Sequence, residues 1–345
     1  MTGTNSTQPA ASPTVPQEIL HQKITGALIT QMIAVAARLG IADLLKDGPL
    51  TAQEIASIRN VSPEAVYRVL RILAAEGIFE ESQDHRFHLT PVGDILREDV
   101  PGSLRMWAML YGADWHWAAM ANSMYSVETG EPVFPHLFGT DTFDFFNTHE
   151  EHGRVFYGAM TQLTQELLPV LLESYDFSPF ARVVDVGAGH GSLVAAILDR
   201  YPNIRGTLFD LPVVLKHASE FLSRAGVSER CELVGGDFFE SVPRGDAYLL
   251  KFIIHDWNDE QSRTILRNCR DGISDNGRIL LIENVLKPLN QPCPGKLMDV
   301  TMMLMEGGRE RSEAEFSTLF NDTGFKLGRV MPLLGSMCVI EGVAV

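Results

Sequence analysis

Between residues 19 and 45 the apolar residues Ile24, Leu28, Met32, Val35, Ala36 and Leu39 recur at helical spacing with no proline among them. This predicts one long helix or a helix pair, its stripe turned to a core or to a second copy of the chain. Thr51 stands as an N-cap before a short helix, and Pro63, at the first helical position after Ser62, opens another that Gly77 stops. Alternation over 78–81 and 86–90 then predicts a small hairpin, so two helices are followed by a wing. Residues 100–173 carry helical segments dense in aromatic residues and methionine, among them Trp107, Trp115, Phe146 and Met160. From residue 181 the pattern changes to short apolar strands, at 182–186, 205–210, 231–235, 247–252, 278–283, 326–331 and 337–345, alternating with helices. That alternation signals an α/β unit with a parallel sheet and crossover helices. The expected division is a disordered tail (1–17), a winged-helix domain (18–100), a helical linker with pocket residues (101–175) and the α/β domain (176–345).

Composition narrows the function classes. The chain has 345 residues, 45% apolar and 21% charged, as a globular protein of two domains has, and no apolar run approaches the ~20 residues of a membrane helix. Its first sixteen residues lack a basic start and an apolar stretch, so they read as a tail rather than a signal peptide, and the expected location is the cytosol. Four cysteines, Cys231, Cys269, Cys293 and Cys338, lie far apart, which argues for buried thiols against a zinc site or disulfide framework. A formal net charge of −16 repels nucleic acid, and the second helix of the winged motif offers only Arg68 and Arg71 to a phosphate backbone. A packing and dimerisation module is therefore the expected role of that motif; the reading from another class, a small-molecule-sensing regulator, needs a basic face.

The candidate chemistry sits at strand ends. The first α/β strand runs through Asp185 into a turn with Gly187, Gly189 and Gly191, where missing side chains let backbone amides approach a ligand. A nicotinamide site is the alternative, but Ser192 stands where that fingerprint has its third glycine. Asp210, followed by Leu211, closes the next strand and can accept both hydroxyls of a ribose. Asp237 and Phe238 follow the third strand, offering a carboxylate to an adenine amino group and a face to its ring. These strand ends share one crevice in a doubly wound sheet. His255, just past the fourth strand, carries the side chain best suited to proton removal near neutrality. Asp256, adjacent in sequence, is expected to point elsewhere.

Residues 185–191, 210–212, 236–239, 251–260 and 307–311 together resemble the caffeate-type O-methyltransferases of plants and their bacterial relatives in secondary metabolism, and the resemblance spans nearly all of the chain after the tail. It implies a Rossmann-like class I methyltransferase domain behind a mainly α-helical winged-helix dimerisation domain, hence a homodimer. It further implies S-adenosyl-L-methionine as cofactor, S-adenosyl-L-homocysteine as product, no metal, and a hydroxyl of an aromatic small molecule as acceptor. Glu283 and Glu310 are implied to flank His255 as catalytic partners, Lys251 to contact the cofactor and Trp257 to pack near its adenine. The family's acceptor pocket resembles the segments holding Phe156, Tyr157 and Met160, and Met298 and Met302. Tyr157, where plant relatives usually carry Asn, and the missing Asn near Met305 and Glu306 point away from a plant phenylpropanoid, toward a bacterial polyketide, phenazine or similar scaffold. Methyl transfer to nitrogen or carbon, or a drifted enzyme that keeps the cofactor for another reaction, is the alternative on the same fold.

Overall fold

In the computed structural model, which describes residues 15–345, the chain divides into two compact units, one from the described N-terminal residues to Glu98 with 111–113, the other 99–110 and 114–345. The part of the expected tail up to residue 14 lies outside the described residues; a helix already begins at Pro16. That helix, Pro16–Arg38, and a short one, Ile41–Leu45, realise the predicted pair, parted at Gly40, which takes the left-handed conformation. The helix Ala52–Arg59 follows, capped by Thr51 and Glu54 in a reciprocal capping box, and Pro63–Ala75 is capped by Ser62. The wing has three strands: β1 (Leu50–Thr51), β2 (Phe79–Glu81) and β3 (Arg86–Leu89) in the order β1-β3-β2. Two residues are too few to show alternation, so β1 carries no sequence signal.

The second unit contains a seven-stranded sheet of β4 (Arg182–Val186), β5 (Arg205–Asp210), β6 (Cys231–Gly235), β7 (Gly245–Lys251), β8 (Ile273–Asn284), β9 (Phe325–Pro332) and β10 (Met337–Ala344), in the order β6-β5-β4-β7-β8-β10-β9. Strands β4 to β8 pair in parallel, as expected; β10 runs antiparallel to β8 and to β9. The departure from an all-parallel sheet follows from the connection: residues 333–336 suffice for a hairpin, whereas a parallel crossover needs a dozen or more residues.

Apolar layers cover both faces. Val183, Leu249 and Ile282 pack with the helix Ser192–Arg200 on one face, and Val184, Val186 and Leu281 with the helices Asp259–Gly272 and Glu313–Asn321 on the other. Burial on two faces explains why these strands read as nearly continuous apolar runs. It also leaves the carboxyl ends of the parallel strands, with the loops that leave them, as the place where polar chemistry gathers. Parallel strand order reverses between β4 and β7, the position at which such sheets open a crevice. Among the described residues, no helix is long and apolar enough to cross a membrane. All four cysteines are free.

Candidate active site

The glycine turn leaves β4 at this reversal. Gly187, Gly189 and Gly191 have φ of 70°, 56° and 84°, values that side chains rarely adopt, and a Cβ on Gly187 would lie 2.3 Å from Ile253 Cδ1. Asp210 braces the turn, accepting from the amide of Gly189 at 2.8 Å and from that of Leu211 at 2.7 Å. Asp185, just before the turn, is buried, and burial pushes its carboxyl up to about 7. Its Oδ2 and the indole Nε1 of Trp257 have no hydrogen-bond partner among the described residues, a cost a bound ligand with complementary groups removes.

Asp237 turns one carboxylate oxygen back to the amide of Phe239, and Phe238 meets the Trp257 ring edge to face, centroids 6.0 Å apart. Lys251 is enclosed near Asp185, Glu283 and Asp256; burial lowers its pKa, and attraction to these acids opposes that shift. The Lys251 ammonium also lies 4.6 Å from the centre of the Phe252 ring. Phe252 holds φ 55°, a strained value for a bulky residue, and its ring stacks on His255 at 5.2 Å.

His255 is surrounded by three buried acids, Glu310, Glu283 and Asp256. Its Nδ1 donates to Glu310 Oε1 at 2.9 Å and lies 3.7 Å from Glu283 Oε2. Glu283 stands at the end of β8, fully buried, and its Oε1 accepts from the amides of Ile253 and Ile254, both at 2.9 Å. Glu310, likewise buried, is held by Asn284 Nδ2 at 2.8 Å and through its amide by Asp299 at 2.9 Å. With Nδ1 as donor, a neutral ring presents Nε2 as acceptor. Burial alone would lower the His255 pKa, but Glu283, Asp256 and Glu310 outweigh it and push it up to about 10.

Asp256 corrects the sequence reading. Its carboxylate does not point away: Oδ1 lies 3.3 Å from His255 Nε2, because residues 254–256 form a tight helical turn that folds the side chain back. Burial raises Asp256 to about 6. The sequence did not reveal the roles of Asn284, whose contact with Glu310 follows from the bridge between Val285 and Arg311, nor of Arg311, which is 1% exposed. Phe143, stacked on Trp257 with centroids 6.5 Å apart, was also hidden among many aromatic residues.

The expected acceptor residues fall on two helices. Phe156, Tyr157 and Met160 lie half-buried on Glu150–Ser174; Phe156 stacks on Phe146 at 4.3 Å. Tyr157 donates to Asn147 Oδ1 at 2.7 Å and lies 5.7 Å from the His190 ring, which sets it beside the glycine turn. Met298, half-buried, and Met302, buried, stand one turn apart on Gly295–Met305, the helix whose Asp299 holds Glu310. His255, Glu283 and Glu310 are thus brought into contact, and Asp210 against the glycine turn that follows Asp185.

Residues 117–326 match the model of an O-methyltransferase domain and residues 22–99 that of an O-methyltransferase dimerisation domain. The chain is 42% identical to a phenazine O-methyltransferase of Lysobacter antibioticus, across 94% of this chain and 95% of that protein. It is 38% identical to the O-demethylpuromycin-O-methyltransferase of Streptomyces alboniger, across 95% and 89%. Among solved structures, an O-methyltransferase from neocarzinostatin biosynthesis, in complex with S-adenosylmethionine and 2-hydroxy-5-methyl naphthoic acid, superposes with a TM-score of 0.81 at 28% identity, covering 97% of this chain and 100% of that one.

Proposed function

This chain belongs to the O-methyltransferase family and is an S-adenosylmethionine-dependent enzyme; on that premise we propose that it methylates a hydroxyl of an aromatic small molecule in secondary metabolism, with His255 as general base. The observation that carries the reading is the buried contact of His255 Nδ1 with Glu310, which turns Nε2 into the proton acceptor. The homodimer expected from the dimerisation domain is part of the same proposal.

The residues present fit the cofactor. Asp185, with its unpartnered Oδ2, suits a cationic ammonium, Asp210 a ribose, and Asp237, Phe238 and Trp257 an adenine with its polar edge and ring face, with Lys251 enclosed near Asp185. When bound, S-adenosylmethionine supplies an electrophilic methyl group. The chain's part is to orient the acceptor between aromatic and thioether side chains and to take its proton at Nε2. A phenol titrates at about 10, and the acids that raise the His255 pKa bring the imidazole toward that range, which eases proton transfer between them. Glu283, Glu310 and Asp256 stabilise the imidazolium that forms.

The test is calorimetric titration with S-adenosylmethionine and with NADH, then mass spectrometry on acceptors paired as phenol and aniline of one scaffold. Binding of the former cofactor and methylation on oxygen are expected; methylation of the aniline alone overturns the oxygen reading. Asp210→Ala is expected to weaken cofactor binding by about tenfold to a hundredfold, the loss of hydrogen bonds to a charged acceptor. Unchanged affinity in the same titration would move the ribose elsewhere.

The raised His255 pKa also fixes a pH dependence. A base works only when unprotonated, so kcat is expected to rise with pH along a limb lying well above the ordinary imidazole range. Glu310→Gln removes a negative neighbour and therefore lowers the His255 pKa. Its limb should shift to lower pH while the plateau rate falls, measured as kcat against pH with both substrates saturating. A limb that stays in place would remove Glu310 as the charge that sets it.

A further inference from the structure

Arg311 is a motif residue to which the reaction as described gives no task, yet it is one of the most completely buried side chains in the molecule, at 1% exposed. Its guanidinium spans the catalytic loop. Nη1 donates to the carbonyl of Ile254 at 2.9 Å and Nη2 to that of Trp257 at 2.9 Å, so the carbonyls on both sides of His255 and Asp256 are held by one rigid plane. Nη1 also reaches the carbonyl of Arg309, next to Glu310, at 3.2 Å. Asp259 and Ser262, on the helix that follows the loop, fix the guanidinium from behind: Asp259 Oδ1 accepts at 2.8 Å and 3.0 Å, and Ser262 Oγ at 3.2 Å. The Arg311 backbone does the rest, for its carbonyl accepts from the amide of Leu286, and it bridges to Val285, two residues beyond Glu283.

Arg311 is therefore the joint at which the segments bearing His255, Glu283 and Glu310 meet. A planar fork of five donors can grip several carbonyls in fixed directions; a lysine ammonium cannot. We infer that Arg311 is a positioning residue for catalysis, holding the loop 254–257 so that His255 stays in register with Glu283 and Glu310. The inference rests on the reading of His255 as the base.

The test is a double-mutant cycle on the full-length enzyme with His255→Ala, Arg311→Lys and the pair, following kcat, its pH dependence, cofactor affinity and Tm. Arg311→Lys is expected to lower kcat by about tenfold to a hundredfold, as small misplacements of a catalytic group do, with a smaller loss of cofactor affinity, because the loosened loop also carries Trp257. In the His255→Ala background the same change should cost nothing further, because there is no longer a base to misplace. Losses that multiply, or an Arg311→Lys enzyme with the wild-type rate, would overturn the assignment. Wild-type activity in His255→Ala would instead sink the base itself. Should Arg311→Lys fail to fold, Asp259→Asn, which loosens the guanidinium from behind, replaces it in the cycle with the same expected dependence on His255.

Discussion

Replacing His255 with alanine is expected to lower kcat by on the order of a hundredfold or more, the usual contribution of a positioned base, while cofactor affinity stays near wild type. A hundredfold corresponds to about 2.7 kcal/mol of transition-state stabilisation. The effect is selective because His255 contacts Glu310, Glu283 and Asp256, whereas the glycine turn is braced by Asp210. Single-turnover rates with cofactor saturating separate the two effects. A variant that keeps its rate on a phenol, or that loses cofactor binding in parallel, contradicts the assignment.

Gly308→Ala should be nearly as damaging, for a different physical reason. A Cβ at this position would lie 2.1 Å from the carbonyl oxygen of His255 and 2.4 Å from the carbonyl carbon of Asp256. Backbone atoms cannot swing aside as the end of a side chain does. The two loops must part, breaking the Arg309 to His255 backbone hydrogen bond of 2.8 Å and drawing Glu310 off the imidazole. Overpacking of this kind costs about 1–3 kcal/mol, which lowers Tm by roughly 2–12 °C in a unit of this size. Activity is expected to fall by on the order of a hundredfold, as after a displacement of about 1 Å at a catalytic group. Full activity at unchanged Tm would mean that the loops pack less tightly than the distances imply.

The sequence carried the sheet well where periodicity and punctuation agree. Strands at 182–186, 205–210 and 231–235 lie where the apolar runs placed them, each ending within two residues of one read as a ligand contact. β8 begins five residues before its expected start, because Ile273 already pairs with Gly245; the ladder then skips Asp275, Asn276 and Gly277, where Asn276 takes φ 62°, and resumes at Arg278. The site was legible in its own strand-end residues and in the family resemblance that joined Glu283 and Glu310 to His255. What remained hidden depends on side-chain direction in irregular backbone. Asp256 turns toward its neighbour because residues 254–256 wind tightly. Arg311 is buried because three distant segments close around it. No local pattern encodes either outcome.

The place of β10 between β8 and β9 sets an order of assembly. Residues 325–332 are synthesised first but have no neighbour to pair with until residues 337–344 follow, since β9 reaches the sheet only through β10. Until that moment β8, which carries Glu283, presents an open edge on one side. A chain lacking residues 337–344 would leave that edge of β8 open, and is expected to aggregate rather than to act as a slow enzyme.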